Sequence, residues 1–156
     1  MIKITIIAVG KIKEKYWQAS IDEYIKRLGP YSKLSIIDLP EEKVSNISNR
    51  KSIIKKEAQK IIKSIPKEAK VILVDMRGKN FTSEDFSLKI SEWSQFGKEI
   101  CFIIGGPLGL SSEVYTISDQ KLALSKMTFT HQLTKVILME QIYRSMMIQI
   151  GKTYHY

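Results

Sequence analysis

Four short runs of apolar, largely β-branched residues set the limits on this fold. They are Ile2 to Val9, Lys33 to Leu39, Val71 to Asp75 and Ile100 to Ile104. Each is followed by a segment whose apolar residues recur at helical spacing. Glu14 to Leu28 carries Trp17, Ile21, Tyr24, Ile25 and Leu28, and closes at Gly29-Pro30. Ser52 to Ile65 carries Ile53, Ile54, Ala58, Ile61, Ile62 and Ile65. A third helix, capped by Thr82 or Ser83, presents Phe86, Ile90 and Trp93. A short helix from Ser111-Ser112 to Ile117 precedes a fifth strand, Leu122 to Ser125, and a long helix, Gln132 to Ile150, follows. Strands alternating with helices predict an α/β fold: a mostly parallel sheet with helices on both faces. Val-Ile-Leu-Val at 71–74 is apolar on both faces, as interior parallel strands are. Glu41 to Asn49 reads as a loop.

At 156 residues, one domain over 1–156 is expected, with no linker or internal repeat. No apolar run reaches the roughly 18 residues of a membrane span. The start, Met1-Ile2-Lys3-Ile4, lacks the parts of a signal peptide and reads as the first strand. One cysteine excludes an internal disulfide, and neither histidine nor acidic spacing suggests a metal. A cytoplasmic protein without metal or membrane partner is the expectation. The net charge of +9 suits a polyanion such as nucleic acid, or records a lysine-rich composition. The lysines at 51, 55, 56, 60 and 63 are read as a solvated helix face.

In open α/β sheets, ligands gather at the carboxyl ends of strands. That rule points to the loops after Val74, Ile104 and Ser125. Gly105-Gly106-Pro107-Leu108-Gly109 is neither a phosphate loop nor a dinucleotide fingerprint. Its glycines either admit a ligand against the backbone or simply permit a tight turn. Asp75 can be catalytic, anchor a ribose hydroxyl, or cap a neighbouring turn. His131, in a loop, reads as structural. Trp17 and Tyr24 read as core. The helix from Gln132 is apolar nearly all round, which predicts cover from more than one side, with a second copy of the chain as the natural cover. Glu140 and Arg144 are spaced to pair on one helix face; alternatively, a buried arginine near a site holds a phosphate or a carbonyl. Tyr154-His155-Tyr156 is a tail too aromatic to fray, so docking is expected, with His155 titrating near neutrality.

Four segments together carry a family likeness. They are Ile104-Gly105-Gly106-Pro107-x-Gly109-Leu110, Leu124-Ser125-Lys126-Met127-Thr128-Phe129-x-His131-Gln132, Glu140-Gln141-x-Tyr143-Arg144 and Tyr154-His155. With Val9-Gly10-Lys11 and Val74-Asp75-x-x-Gly78-Lys79, they resemble the small SPOUT-superfamily RNA methyltransferases over the full length. The resemblance is closest to the RlmH family, which methylates N3 of a pseudouridine in 23S ribosomal RNA of the large subunit. It implies an α/β-knot fold with a C-terminal trefoil knot, a homodimer, and S-adenosyl-L-methionine as methyl donor. By motif position, the donor would touch Val74, Gly105, Leu124, Ser125, Lys126, Met127, Thr128 and Phe129. Glu140, Arg144, Tyr154 and His155 would form the catalytic, RNA-facing side with Tyr143, partly opposite the cofactor of the other subunit. His131 would shape the pocket.

Three positions depart from the pattern. Thr130 stands where proline is usual, Lys135 where arginine is usual, and Tyr156 where a basic residue commonly follows the histidine. The acceptor N3–H is an imide that must lose its proton, and His155, oriented by Tyr154, is the first candidate to help. Arg144 would polarise the neighbouring carbonyls. Two other readings share the fold: a SPOUT methyltransferase acting on transfer RNA, and a non-catalytic RNA-binding protein.

Overall fold

The computed structural model describes residues 1–43 and 49–154. Five strands pair in parallel in the order β2-β1-β4-β3-β5. They are β1 (Ile2–Val9), β2 (Ser32–Leu39), β3 (Lys70–Lys79), β4 (Ile100–Ile104) and β5 (Gln120–Leu122). The helices between and after them are α1 (Lys15–Leu28), α2 (Arg50–Ser64), α3 (Ser83–Trp93), α4 (Ser112–Ile117) and α5 (His131–Gln149). The expected alternation of strand and helix is the observed one. Of the expected loop 41–49, residues 44–48 lie outside the described residues.

The strand period of two divides the core cleanly. Ile4, Ile6, Ala8, Ile72, Ile100, Phe102 and Ile104 face the layer containing α1, α3 and α5. Ile7, Val9, Val71, Leu73, Cys101 and Ile103 face α2 and α4. All five residues of β4 are buried, so the strand lies between two helical layers. Each such side chain contributes roughly 1.5–3 kcal/mol through burial. Burial also pushes the Cys101 thiol up to about 12, so it is an inert core residue.

Two strand boundaries differ from expectation. β3 runs on to Lys79 rather than ending at Asp75, with a register break between Val74 and Lys79. Asp75 Oδ1 accepts from the Arg77 backbone N–H at 2.8 Å and steadies this extension. β5 is Gln120–Leu122, not Leu122 to Ser125. Beyond Leu122, the Ala123 N–H donates to the Lys79 carbonyl at 3.0 Å, and its carbonyl accepts from Asn80 Nδ2 at 3.0 Å. This contact with the far end of β3 draws the chain off the sheet, leaving Leu124 and Ser125 in a loop.

α5 packs on the sheet between α1 and α3. Ser83 Oγ donates to Gln141 Oε1 at 2.9 Å, and Ser87 Oγ to the Ser145 carbonyl at 3.1 Å. The helix therefore receives cover on its sides from α1 and α3 of its own chain. Leu133, Ile137 and Ile148 remain half-buried. Among the described residues, no helix is long and apolar enough to cross a membrane.

Candidate functional site

At the carboxyl ends of β3 and β4 lies a cavity of about 750 Å³, within the range of small-molecule sites. Its walls come from four places: the end of β3 (Val74 to Arg77), the glycine turn (Gly105 to Leu110), the loop 124–130, and the first turn of α5. Tyr115 of α4 and Arg50 of α2 complete the rim. Val74, Gly105, Leu124, Ser125, Met127, Thr128 and Phe129 all line this space. Lys126, expected with them, is exposed and does not line it.

Local chemistry shapes each wall. The Met127 N–H donates to Ser125 Oγ at 3.0 Å, which turns the loop back toward the sheet. Thr128 Oγ1 reaches Met76 Sδ at 3.3 Å across the mouth. Thr130 caps α5, its side chain accepting from the Leu133 N–H at 3.4 Å. A threonine thus gives this position an N-cap that proline cannot. His131 is the first residue of α5, not a loop residue. Its Nε2 is buried 3.7 Å from Glu41 Oε1 and has no hydrogen-bond partner among the described residues.

The glycine turn is packed from behind. A Cβ on Gly105 would lie 2.8 Å from Leu110 Cγ, and one on Gly106 2.9 Å from Val9 Cγ1. Gly10, at φ +102°, brings the end of β1 so close that a Cβ would sit 2.5 Å from Glu41 Oε1 and 2.7 Å from His131 Nε2. The turn is therefore tight, which is one of its two sequence readings, and its glycines line the cavity. A nucleoside-sized ligand fits this lining. Val74, Ile104, Leu110 and Leu124 are apolar walls, the turn brings its backbone to the lining, and the His131 nitrogen is a buried polar atom with no partner among the described residues.

Asp75 has its partners within the protein. Its Oδ1 accepts from Arg77 Nε at 3.2 Å, its Oδ2 from Arg77 Nη2 at 3.0 Å, and the Tyr115 hydroxyl bonds both Asp75 and Arg77. The Arg77 guanidinium first, then Tyr115, hold the Asp75 carboxyl at about 2. Of the three sequence readings, capping is the nearest to what this carboxylate does, but the turn it closes is its own rather than a neighbouring one. Arg77 lies over the Tyr115 ring at 5.1 Å, and Lys121 lies at the same distance from that ring.

The predicted RNA-side residues form a second group. Arg144 Nε and Nη2 donate to Glu140 Oε1 at 3.0 and 2.7 Å, which is the pairing expected from their spacing. Arg144 Nη1 donates to the Tyr154 carbonyl at 3.3 Å, and the guanidinium stands 4.8 Å from the Tyr154 ring. The Tyr154 hydroxyl donates to Glu140 Oε1 at 3.3 Å, and its ring meets Tyr143 edge-on at 4.9 Å. Tyr154 is docked, as expected. His155 and Tyr156 lie outside the described residues.

Among the described residues, these two groups do not meet within one chain. Thr134 is the last α5 residue on the cavity, and Arg144 lies ten residues further along α5, or roughly 15 Å at 1.5 Å per residue. Glu140, Arg144 and Tyr154 do not line the cavity. Arg27 escaped sequence reasoning. Tyr24, read as core, is half-buried and packs against the core, and Arg27 stands 5.7 Å from its ring and 5.8 Å from that of Tyr143. The i, i+3 spacing of a tyrosine and an arginine on α1 was the available signal. Among the described residues, no group of three or more His, Cys, Asp or Glu side chains is placed to hold a metal ion.

Residues 2–155 match the family described as "Predicted SPOUT methyltransferase". A protein of Alkaliphilus oremlandii (strain OhILAs), named ribosomal RNA large subunit methyltransferase H, is 50% identical over 97% of this chain and 98% of its own. A protein of the same name from Carboxydothermus hydrogenoformans (strain ATCC BAA-161 / DSM 6008 / Z-2901) is 46% identical over 98% of this chain and 99% of its own. Among solved structures, "a probable methylase family protein from Haemophilus influenzae Rd KW20" superposes with a TM-score of 0.57 at 13% identity. That match covers 100% of this chain and 72% of the other, and shows a shared fold. On the full-length family match and these two relatives, the chain belongs to the SPOUT methyltransferase family, beside proteins named ribosomal RNA large subunit methyltransferase H.

Proposed function

We propose that this protein transfers a methyl group from S-adenosyl-L-methionine to N3 of a pseudouridine in 23S ribosomal RNA, working in the cytoplasm on the large subunit or the assembled ribosome. The observation that carries this reading is the cavity of about 750 Å³ bounded by the glycine turn and the 124–129 loop. It is supported by relatives that are close over their whole length and are named as methyltransferases of this RNA. One domain over 1–156 carries the whole activity. The trefoil knot belongs to the same reading. The place to look for it is the crossing at Gly78, where β3 lies against the backbone of Lys121 and Leu122.

When bound, the cofactor supplies a methyl on a sulfonium centre, which leaves as a neutral thioether. Val74, Gly105, Leu124, Ser125, Met127, Thr128 and Phe129 hold the cofactor by apolar contact and backbone groups. Lys126, outside the lining, meets the RNA or the cofactor's exposed end. The acceptor N3 sits between two carbonyls and must lose its proton. Arg144, its pKa raised chiefly by the hydrogen bond to Glu140, stays cationic and stabilises the imidate. Glu140 fixes the guanidinium and the Tyr154 hydroxyl together. His155 takes the N3 proton, with Tyr154 placing it.

The separation along α5 makes the active enzyme a homodimer in this reading. The cavity of one copy is completed by the Glu140–Arg144–Tyr154 group of the other. An unstacked loop nucleotide is the form of target such a site can reach.

The test is methyl transfer from labelled S-adenosylmethionine to ribosomal particles, followed by mass mapping of the RNA. Wild-type protein is expected to label one pseudouridine, and Arg144→Ala and His155→Ala to lose most turnover. Full turnover in both variants would overturn the assigned roles. Labelling of isolated transfer RNA in preference to ribosomes would favour the transfer-RNA reading. Absence of cofactor binding by calorimetry would favour the non-catalytic one.

A further inference from the structure

The mouth of the cavity carries cations that the methyl-transfer chemistry does not use. Among the described residues lining the cavity, the single carboxylate, Asp75, stands against two guanidinium groups, Arg50 and Arg77. That carboxylate is already engaged. It accepts from Arg77 Nε at 3.2 Å and Arg77 Nη2 at 3.0 Å, and from the Tyr115 hydroxyl. This clamp uses one edge of the guanidinium. Among the described residues, Arg77 Nη1 makes no hydrogen bond. The side chain is 71% exposed, so its remaining donors are open to a ligand. Arg77 lies 5.1 Å from the centre of the Tyr115 ring, and the Lys121 ammonium lies at the same distance. Lys121 is exposed and belongs to β5, the edge strand. The acid two residues before it, Asp119, is taken by Lys70 at 3.2 Å and by the Val71 N–H at 2.7 Å. Over the glycine turn, Arg50 Nη2 donates to the Leu108 carbonyl at 3.4 Å.

We infer that Arg77 and Lys121, both seated on Tyr115, bind phosphates of the RNA strand whose target nucleotide enters the cavity, with Arg50 as a third contact over the glycine turn. The inference rests on the function proposed above and names the face by which the RNA arrives. Charge is the first support. Three cations against one carboxylate leave an excess of positive charge at the opening, which a polyanion matches. Preorganisation is the second. A guanidinium clamped by a carboxylate and a ring loses little freedom on meeting a phosphate, and its planar fork suits phosphate oxygens. Placement is the third. A nucleotide drawn out of its stack must be held by its backbone while its base goes in, and these cations stand beside the opening. Tyr115 is occupied as the seat of two cations. The rim therefore responds to backbone charge and not to base identity.

The test is the salt dependence of binding to polyuridylate and to large ribosomal subunits, read by fluorescence anisotropy between about 50 and 200 mM salt. Each phosphate contact on single-stranded RNA adds roughly 0.7 to the slope of log K against log salt. The double variant Arg77→Gln, Lys121→Gln is expected to lower the polyuridylate slope by about 1.4 and to weaken binding roughly 25-fold near 0.1 M salt. Ribosomal subunits are expected to show a loss in the same direction. Lys121→Gln alone breaks no ion pair among the described residues. It is expected to lower the slope by about 0.7 with an unchanged melting temperature, so the test stands even if the Arg77 variant is unstable. As a control, Lys55→Gln with Lys63→Gln removes the same charge from exposed positions of α2, and the wild-type slope is expected. A wild-type slope in Lys121→Gln and in the double variant would overturn the inference. So would an equal fall in the control. Loss of S-adenosylmethionine affinity by calorimetry, with the RNA slope unmoved, would also overturn it and assign the rim to the carboxylate of the cofactor. Should wild-type protein fail to methylate ribosomal particles, the functional reading falls, while the polyuridylate slope still decides whether the rim holds RNA.

Discussion

The Lys135 ammonium, on a side chain only 1% exposed, is paired with the Asp38 carboxylate. The contact joins the second turn of α5 to the end of β2, beside the cavity. It also explains why arginine is not needed at position 135. A single buried point charge meets a single carboxylate, with no forked geometry to satisfy.

Breaking this pair leaves a buried charge without its partner. Asp38→Asn is expected to cost about 2 kcal/mol, below the full value for a buried pair because Asp38 is 33% exposed. Adding Lys135→Met should recover most of the loss. Denaturant unfolding of the two variants checks this, and a wild-type midpoint for Asp38→Asn would contradict it.

Asp75 predicts a pH dependence. Its folded pKa, about 2, lies below the ordinary value of 3.8. A depressed carboxyl stabilises the fold above its unfolded pKa, and that contribution is lost as pH falls through the folded value. Asp75→Asn is therefore expected to be less stable than wild type at neutral pH by about 1–2 kcal/mol, discounted for the exposure of Arg77. The two proteins should converge as the pH drops from near 4 toward 2. Thermal unfolding across this range reads the effect, and a constant gap down to pH 2 would refute it.

Gly78 predicts a packing effect. A Cβ there would lie 2.6–2.7 Å from the Lys121 and Leu122 backbone, which no side-chain rotation can relieve. Gly78→Ala should force β3 and β5 apart at the edge of the cavity, at a cost of about 1–3 kcal/mol, and should weaken cofactor binding. Calorimetry with the cofactor and a melting curve test it; wild-type values for both would show that the crossing is looser than described.

Much of the fold was legible because its signals are local. β-branched runs, helical stripes and terminating glycines and prolines placed β1 to β4 and the five α-helices, and the strand-end rule pointed to the loops that line the cavity. Most of the misses depend on long-range contacts. Nothing in Leu122 to Ser125 says that Asn80 and Lys79 will capture Ala123 and end β5 early. Thr130 looked like a departure from a loop pattern and is a helix cap, because His131 begins α5. Tyr24 looked like core because its spacing on α1 is that of a buried face. Only α5, more than a hundred residues later, brings Tyr143 against it, and Tyr143 in turn meets Tyr154. The distance along α5 between the cavity and Arg144 was also beyond sequence reasoning, since a motif list has no geometry.

That distance gives the most direct test of a shared active site. Two variants, each inactive alone, are mixed and allowed to exchange subunits. One, Gly105→Trp, blocks the cavity, and the other, Arg144→Ala, lacks the catalytic cation. With random exchange half the dimers are mixed, and each mixed dimer holds one intact site, so methyl transfer to ribosomes should recover to about a quarter of the wild-type rate. No recovery, with subunit exchange verified by mass spectrometry, would contradict a site built from two chains.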